Sequence, residues 1–504
     1  MLMTANEYRE SLRSYKPRVF INGDLVESVA DDPRLLPGIN SVGVTYDFAH
    51  QQAHRKLMTA VQHSSGKVVN RMLHINDGSQ DLLNKLEAVR LVCKVAGCAQ
   101  RYLSHDALNA IFQATKRTDD AHGTEYHQRF MTYLHEIQDK DLTLGVAMTD
   151  AKGDRSKRPS EQSNPDVYVR IKERQADGIV ISGIKAIVTG APYMHEFLVM
   201  PCRTHLPADA DFAVCCAVPV DAEGVTIIAR PAGRPGEEAA KFSNKYGQST
   251  GVVVFEDVFV PHARVFLAGE TEEGGFMTTT YATHHRHSCI GARAGFGDLL
   301  IGAGATMIKA NGLDANKHGH IREAMVDLIT ITESFYACGV AASVYCEEDP
   351  AGNVMPDTVY SNIGKLLLAT KIYDMHKVAH YVSGGLIVSL PGPDEDHNPE
   401  TQASLEAVFS GRDDIPSERR RDVSRFIEDL TVSNQGGWYS VISLHGGGSP
   451  EAMKREIWRN YDVEDREDLV AQLMDRGVYD QGQRVSKQPG RCCAKGCEAP
   501  PKLS

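Results

Sequence analysis

A segment rich in glycine, hydroxyl groups and charge, Gly145 to Arg158 (GVAMTDAKGDRSKR), carries side chains suited to holding a polar cofactor. The Thr149 hydroxyl can both donate and accept a hydrogen bond, and Arg155 offers a rigid fork of donors that matches phosphate or carbonyl oxygens. Gly153 permits backbone conformations that are closed to other residues. This composition suits a loop that grips a flat, anionic cofactor such as a flavin, but exposed turns have the same composition.

A second cluster, Tyr281 to His287, places three histidines and an arginine in four consecutive positions. Imidazole titrates near neutral pH, so a histidine here can deprotonate a phenol or protonate a peroxide. Four consecutive side chains on a helix cannot all point into one pocket. The cluster therefore indicates either one catalytic histidine or a polar helix surface.

Hydrophobic periodicity predicts the elements that position these residues. Apolar residues recur at helical spacing through residues 1–142, short β-branched runs separated by turn signals occupy residues 143–272, and the helical period returns over residues 273–480. This α, β, α order predicts an α+β fold that is mainly helical. Residues 481–504 lack apolar periodicity, which predicts a disordered tail whose three cysteines, Cys492, Cys493 and Cys497, are solvated thiols.

Composition narrows the class of partners. The 504 residues carry a formal net charge of −12, which argues against general binding to nucleic acid or anionic membranes. The chain shows no unbroken run of about 18 apolar residues, and its first residues include acids where a secretory signal has an apolar core. We expect a cytoplasmic protein that binds small molecules and that has no structural disulfides among its 11 cysteines.

Five motifs together resemble one family, the flavin-dependent 4-hydroxyphenylacetate 3-hydroxylase and 4-hydroxybutyryl-CoA dehydratase family. They are AMTD at 147–150, GDR at 153–155, the segment 186–190, VFEDVFVP at 254–261 and HGGGSP at 445–450. The resemblance implies an acyl-CoA-dehydrogenase-like fold, with a helical N-terminal domain, a β barrel and a C-terminal helical bundle. It also implies a homotetramer.

The resemblance places FAD between the β domain and the helices. The implied FAD contacts are Met148, Thr149, Asp150, Arg155, Ser156, Thr189, His445, Gly446, Gly447, Gly448 and Ser449. The glycine-rich turn is equally typical of a link between helices, capped by Ser449 and followed by Pro450 at the first helical position. Both interpretations can hold, since a helix N-terminus attracts phosphate.

The chain departs from the family at the positions that bind iron. The dehydratases hold an iron–sulfur cluster with a Cys-x3-Cys pair and a His-x6-Cys pair, whereas this chain has Cys98 with Tyr102 and His285 with Ala292. Neither a phenol nor alanine replaces a thiolate ligand. We therefore expect no iron–sulfur cluster and no other metal, although Cys289, one helical turn from the vacant position, leaves a rescued site open.

Other departures affect the substrate. Thr250 and Ile442 stand where the dehydratase branch has glutamates, and Val146 stands where hydroxylases of 4-hydroxyphenylacetate have a substrate histidine. The resemblance makes His285 the predicted catalytic histidine, because its position faces the flavin from the last domain. Arg101 and Tyr102 are predicted to hold an anionic or phenolic substrate, although an arginine at a core helix position is also typical of packing alone.

These features predict the oxygenase component of a two-component monooxygenase, which hydroxylates an aromatic or related small molecule with O2. Since no GxGxxG fingerprint opens a βαβ unit, FADH2 is expected from a separate reductase. The alternative is a cluster-free relative of 4-hydroxybutyryl-CoA dehydratase that acts on acyl-CoA as a dehydratase, isomerase or dehydrogenase. A noncatalytic flavin-binding protein is the third interpretation.

Overall fold

Helices occupy both ends of the chain and strands its middle in the computed structural model, which describes residues 2–476. The predicted tail at 481–504, with its three cysteines, lies outside the described residues. The helices are α1 (Ala5–Leu12), α2 (Leu36–His50), α3 (Arg55–Met58), α4 (Ser79–Ala96), α5 (Tyr102–His122), α6 (Tyr126–Lys140), α7 (Thr271–Ala310), α8 (Gly319–Val344), α9 (Thr358–Val382), α10 (Gln402–Phe409), α11 (Ser417–Thr431), α12 (Asn434–His445), α13 (Pro450–Asn460) and α14 (Val463–Arg476). The α+β, mainly helical fold class is confirmed.

Two sheets form the central β domain. Their strands, with two short hairpins elsewhere, are β1 (Arg18–Ile21), β2 (Asp24–Leu25), β3 (Thr59–Val61), β4 (Val68–Asn70), β5 (Leu144–Ala147), β6 (Arg170–Arg174), β7 (Gly178–Thr189), β8 (Glu196–Val199), β9 (Val214–Pro219), β10 (Val225–Ala229), β11 (Thr250–Pro261), β12 (Val265–Ala268), β13 (Glu347–Glu348) and β14 (Val354–Met355). One sheet has the order β2-β1-β10-β11-β7-β6 and the other β12-β9-β8-β5.

The N-terminal segment belongs partly to this β domain. Strand β1 pairs in parallel with β10, in the register Arg18 to Thr226, and Tyr8 and Leu12 of α1 share one buried core with residues of the six-stranded sheet. The predicted boundary at residue 142 therefore does not separate a wholly helical first domain, because the first strands find their hydrogen-bond partners about 200 residues later.

Small residues bring α7 close to α4, on the side of the molecule where the histidine cluster lies. A side chain at Gly291 would place its Cβ 2.7 Å from the Leu86 carbonyl oxygen, and one at Gly295 would place it 2.5 Å from that of Arg90. Only glycine permits this approach of two helix backbones. The 40-residue α7 is thus the central helix of the C-terminal bundle, between α4 and α5 on one side and α8 and α9 on the other.

Helix α8 is the one described helix that is long and apolar enough to span a membrane, with a mean hydropathy of 1.3 over its most apolar window. It packs along α7 and α9, and a third of that window is buried inside the protein. These contacts make α8 a helix of the bundle.

Candidate active site

A narrow cavity lies where the start of α5, the middle of α7, α9, the end of α12 and the end of β7 meet. Its lining residues are Cys98, Tyr102, Leu103, Thr189, His285, Cys289, Ala292, Arg293, Lys365, Leu368, Trp438, Ile442, Ser443 and Gly446. Four sequence-predicted site residues therefore come together here: Tyr102 and His285 of the predicted catalytic set, and Thr189 and Gly446 of the predicted FAD contacts. The cavity joins all three regions of the chain.

His285 lies between a thiol and a carboxylate. Its Nε2 is 3.5 Å from Cys289 Sγ, one turn further along α7, and its Nδ1 is 3.1 Å from the Oδ2 atom of Asp106 on α5. Asp106 is fully buried, and its Oδ1 accepts hydrogen bonds from Ser288 at 2.6 Å and from Lys85 at 3.3 Å. This order of thiol, imidazole and carboxylate fixes the orientation of the imidazole ring.

The charges of this group reinforce one another. Burial lowers the pKa of His285, but the nearby Cys289 and the hydrogen bond to Asp106 overcome it and raise the pKa to about 10. Burial raises the pKa of Cys289, yet the charge of His285 holds it below its ordinary value. The Asp106 carboxyl also has a pKa well below its ordinary value, because Lys85 and the histidines outweigh its burial. The two groups thus favour the charged form of each other, an imidazolium at His285 and a thiolate at Cys289.

A second thiol, Cys98, faces the cavity from the loop before α5. Tyr102 Oη lies 3.6 Å from Cys98 Sγ, and burial keeps the pKa of the Tyr102 hydroxyl well above its ordinary value. A hydrogen bond from Cys93 and the charge of Arg293 lower the pKa of Cys98 to about 6, against the effect of burial. Tyr102 is therefore a neutral hydrogen-bond donor to a thiolate.

Two cations complete the lining. Arg293 follows Cys289 by one turn of α7, is 4% exposed and has one guanidinium nitrogen, Nη1, without a hydrogen-bond partner. Among the described residues it has no carboxylate within ion-pair distance. Lys365 of α9 donates to the Ser443 carbonyl at 2.6 Å, and burial lowers its pKa to about 8. Neither cation was predicted from the sequence, because helical spacing does not distinguish a buried lysine or arginine from an exposed one.

None of the lining residues carries a carboxylate. At the two positions where the resemblance implies glutamates in the dehydratases, Ile442 lines the cavity and Thr250 accepts a hydrogen bond from Trp438 Nε1 at 2.9 Å. The side chain of Trp438 thereby forms part of the wall. Proton transfer in this cavity must use imidazole, thiol, phenol or amine groups of the chain.

The other histidines of the cluster do not form a helix surface. His284 and His287 are both fully buried; His284 Nε2 lies 3.2 Å from Gln113 and His287 Nε2 lies 2.8 Å from Ser343. The interpretation of a polar, exposed surface is wrong for these two residues. They pack where α7 meets α5 and α8, because α7 is enclosed on several sides.

Arg101 is separated from the cavity. It is fully buried, donates to the Asp141 carboxylate and lies 4.0 Å above the ring of Tyr46. Because the whole side chain is buried, Arg101 is not an arginine that packs its stem in the core and extends its guanidinium to the surface. Its contacts hold the start of α5 against the N-terminal segment, so Arg101 positions the loop that carries Cys98 and Tyr102.

The predicted cofactor loop follows β5. Met148 and Thr149 are half-buried, whereas Arg155 and Ser156 are exposed. Asp150 is buried, pairs with Lys185 at 2.8 Å and accepts a hydrogen bond from Cys202 at 3.0 Å. Its carboxylate thus anchors the loop to β7, and the neighbouring Thr149 and Met148 side chains remain available for a ligand.

The glycine-rich turn joins α12 to α13, as the helix-link interpretation predicts. The Ser449 hydroxyl accepts a hydrogen bond from the Ala452 N–H at 3.3 Å, and Pro450 is the first residue of α13. Gly447 has a φ of +76°, and a Cβ at this position would lie 3.3 Å from His285 Cδ2. The turn therefore lies against His285, the predicted catalytic histidine, and His445, exposed at the end of α12, is not among the lining residues.

The residues present fit a flavin but not a regular iron–sulfur cluster. A flavin and its phosphates need hydrogen-bond donors for their oxygens. These donors are available from the hydroxyl groups of Thr149, Thr189 and Ser449, from the exposed Arg155 and from the N-terminus of α13. For a cluster, Tyr102 and Ala292 lack thiolates, and both nitrogens of His285 already have partners. The described chain thus offers no complete set of four cluster ligands here.

Models of two halves of one family match this chain. The model described as 4-hydroxyphenylacetate 3-hydroxylase N terminal matches residues 4–267, and the C-terminal model matches residues 275–475. The chain is 36% identical over 486 residues to the 4-hydroxybutyryl-CoA dehydratase/vinylacetyl-CoA-Delta-isomerase of Clostridium aminobutyricum, covering 93% of this chain and 99% of the relative.

Solved structures show the same fold. An oxygen-tolerant archaeal 4-hydroxybutyryl-CoA dehydratase from N. maritimus superimposes with a TM-score of 0.90 at 32% identity, over 97% of both chains. The oxygenase component of a 4-hydroxyphenylacetate 3-monooxygenase, complexed with FAD, superimposes with a TM-score of 0.84 at 21% identity, over 94% of this chain and 99% of that one. The acyl-CoA-dehydrogenase-like fold implied by the motifs is confirmed.

Proposed function

The chain belongs to the 4-hydroxyphenylacetate 3-hydroxylase family, and from this premise we propose that it is an FAD-dependent enzyme that acts on an acyl thioester without an iron–sulfur cluster. FAD, when bound, supplies reversible one- and two-electron transfer. Thr189 and the turn at Gly446 to Ser449 would hold it beside the cavity. The sequence predicted a monooxygenase first, and the function proposed here is the alternative to it.

The observation that carries this proposal is the pair of cysteine thiols, Cys98 and Cys289, that line the cavity. Cys98 and Cys289 both have pKa values below the ordinary value of a thiol, and both line the space in which a substrate would react. Peroxides oxidise cysteine through its thiolate form, and a peroxide formed in this cavity would be in direct contact with both thiols. An enzyme that activates O2 in this cavity would oxidise its own lining, whereas thioester chemistry needs no O2. The greater similarity to a dehydratase than to the oxygenase component supports the same choice.

The cations define the polar end of the substrate. Arg293 and Lys365 can stabilise the negative charge that develops on a thioester carbonyl oxygen, and Leu103, Leu368 and Ile442 suit an acyl chain. The imidazolium of His285 can deliver or recover a proton. It would thereby perform the proton transfer that the resemblance assigns to the glutamates of the dehydratase branch.

A second candidate is the oxygenase component of a two-component monooxygenase, with FADH2 supplied by a separate reductase. The same cations and the Tyr102 hydroxyl favour it, because together they would hold a phenolate against the flavin. Val146, however, is buried in the apolar core and provides no substrate histidine. The substrate of this candidate would be an aromatic compound other than 4-hydroxyphenylacetate.

Anaerobic turnover separates the candidates. Protein reconstituted with FAD is incubated without O2 with 4-hydroxybutyryl-CoA, vinylacetyl-CoA and crotonyl-CoA, and the products are identified by mass spectrometry. Conversion of a thioester supports the first proposal. Its absence, together with phenol-dependent consumption of O2 after reduction of the flavin, would replace it with the second. Stoichiometric iron and sulfide in anaerobically purified protein would contradict the cluster-free site.

Oligomeric state and location remain proposals of the family resemblance. We expect a homotetramer in solution and a cytoplasmic enzyme. Light scattering of the purified protein measures the first, and fractionation of source cells measures the second.

A further inference from the structure

Cys289, His285 and Asp106 form a continuous series from the cavity to the protein interior. The distances are 3.5 Å from Cys289 Sγ to His285 Nε2 and 3.1 Å from His285 Nδ1 to Asp106 Oδ2. Cys289 and His285 are four residues apart on α7, so one face of one helix presents both. A nucleophile, a base and an orienting third group in hydrogen-bonding series are the elements of nucleophilic catalysis.

The third group is held rigidly. Asp106 is completely buried on α5, with Ser288 and Lys85 on its second oxygen. The imidazole therefore directs Nδ1–H to the carboxylate and Nε2 to the thiol, so that the proton between Nε2 and Sγ is the one available for transfer.

The cavity also contains an unused donor next to the thiol. Arg293 is 4% exposed, lines the cavity one turn beyond Cys289, and leaves its Nη1 without a hydrogen-bond partner. Arg101 also has unpaired guanidinium nitrogens, but it does not line the cavity, so Arg293 Nη1 is the unpaired guanidinium nitrogen that a ligand oxygen in the cavity can reach. A guanidinium at this place suits a carbonyl oxygen that gains negative charge during a reaction.

We propose that Cys289 is a catalytic nucleophile that adds to the β-carbon of an α,β-unsaturated acyl thioester. The bond between Cys289 Sγ and Cβ forms as the Cα–Cβ π bond breaks, and that electron pair moves onto the thioester carbonyl as an enolate beside Arg293. The imidazolium of His285 then gives its proton to Cα. Reversal of these steps releases the unsaturated thioester. The substrate class rests on the proposed function above.

Covalent capture tests this step independently of turnover. Protein reconstituted with FAD is incubated anaerobically with crotonyl-CoA, quenched in acid and analysed by intact mass and peptide mapping. We expect a gain of the full mass of crotonyl-CoA, located on Cys289. The map of the wild-type protein identifies the site without requiring that any variant folds.

Variants then test the roles of the partners. His285→Gln and Arg293→Met should each slow adduct formation at least tenfold, whereas Cys338→Ser, which removes a partly exposed thiol elsewhere, should leave the rate unchanged. Circular dichroism checks that each variant is folded.

The inference is overturned by three results: no adduct, an adduct on another cysteine, or transfer of the acyl group alone with release of free CoA. Thioester turnover without an adduct at Cys289 would overturn this inference and leave the proposed function standing. An adduct at Cys289 without accumulation of any thioester product would support this inference and overturn the proposed function.

Discussion

Two buried histidines near buried arginines differ in almost every other respect. His195, beside Arg101, accepts a hydrogen bond from the Thr143 N–H and contacts the Ser11 hydroxyl, and burial and the charge of Arg101 lower its pKa to about 3. His285, between Cys289 and Asp106, has a pKa raised to about 10. The difference shows that the partner of a buried imidazole, rather than its burial, decides whether it carries charge.

The surroundings of the two arginines differ in the same way. Arg101 has a carboxylate partner, Asp141, and no ligand-accessible surface, whereas Arg293 has thiols and Tyr102 as neighbours and lines the cavity. The contacts of Arg101 hold the start of α5 against the N-terminal segment. The region around Arg293 is arranged for a ligand that brings its own negative charge.

The largest expected effect is on stability, at Arg101. Arg101→Met should lower the free energy of unfolding by about 3–5 kcal/mol, because it leaves the buried Asp141 carboxylate without its cation. Denaturant unfolding monitored by fluorescence measures the change. Arg293→Met is the matched control, since it leaves no buried carboxylate unpaired; an equal loss in both variants would remove the distinction between the two regions.

Arg293 should instead matter for activity. Arg293→Met should reduce kcat/KM for the thioester about 100-fold, as is typical for loss of one donor to a developing oxyanion. Arg293→Lys should recover part of this activity, because the positive charge remains. Steady-state kinetics measure both variants, and an unchanged kcat/KM in Arg293→Met would show that the guanidinium does not contact the substrate.

The two histidines should also give the protein opposite dependences on pH. The neutral form of His195 is retained in the fold, so stability falls as pH drops below about 6.5, by about 2 kcal/mol at pH 5. The charged form of His285 is retained, so its contribution is present below about pH 6.5 and is lost as pH rises through about 10.

Unfolding curves between pH 4.5 and 10.5 measure these slopes. His195→Gln should flatten only the acid side and His285→Gln only the alkaline side. If one variant flattened both sides, the two histidines would not titrate independently.

The smallest expected effect concerns the turn that lies against His285. Ser449→Ala should cost about 1 kcal/mol of stability through loss of the cap on α13. Ser433→Ala removes the corresponding cap on α12 and is the matched control. If the turn binds FAD phosphate, only Ser449→Ala should weaken FAD binding, as measured by titration of flavin fluorescence; equal affinities would place the phosphates elsewhere.

The α, β, α order was predictable because hydrophobic periodicity reports local structure. The sequence also identified His285, Tyr102, Thr189 and Gly446, which all line the cavity. It could not identify Asp106 as the partner of His285, because nearly 180 residues separate them along the chain. Long-range pairing leaves no local pattern.

The sequence likewise could not assign roles to charged residues in helices. Arg101 and Arg293 occur in similar apolar contexts, and only the position of Asp141 distinguishes a structural arginine from one available to a ligand. The exposed histidine surface was mispredicted for a related reason: α7 is enclosed on several sides, so its polar residues are buried without an amphipathic pattern to mark them.

The parallel pairing of β1 with β10 has a consequence for synthesis of the chain. Arg18 leaves the ribosome 208 residues before its neighbour Thr226. At about 5–20 residues per second, β1 waits about 10–40 s for the strand that covers its edge. During that interval the apolar side chains of Val19 and Ile21 have no native partner from β10. Strand β1 is therefore among the first elements to be synthesised and among the later ones to complete their pairing.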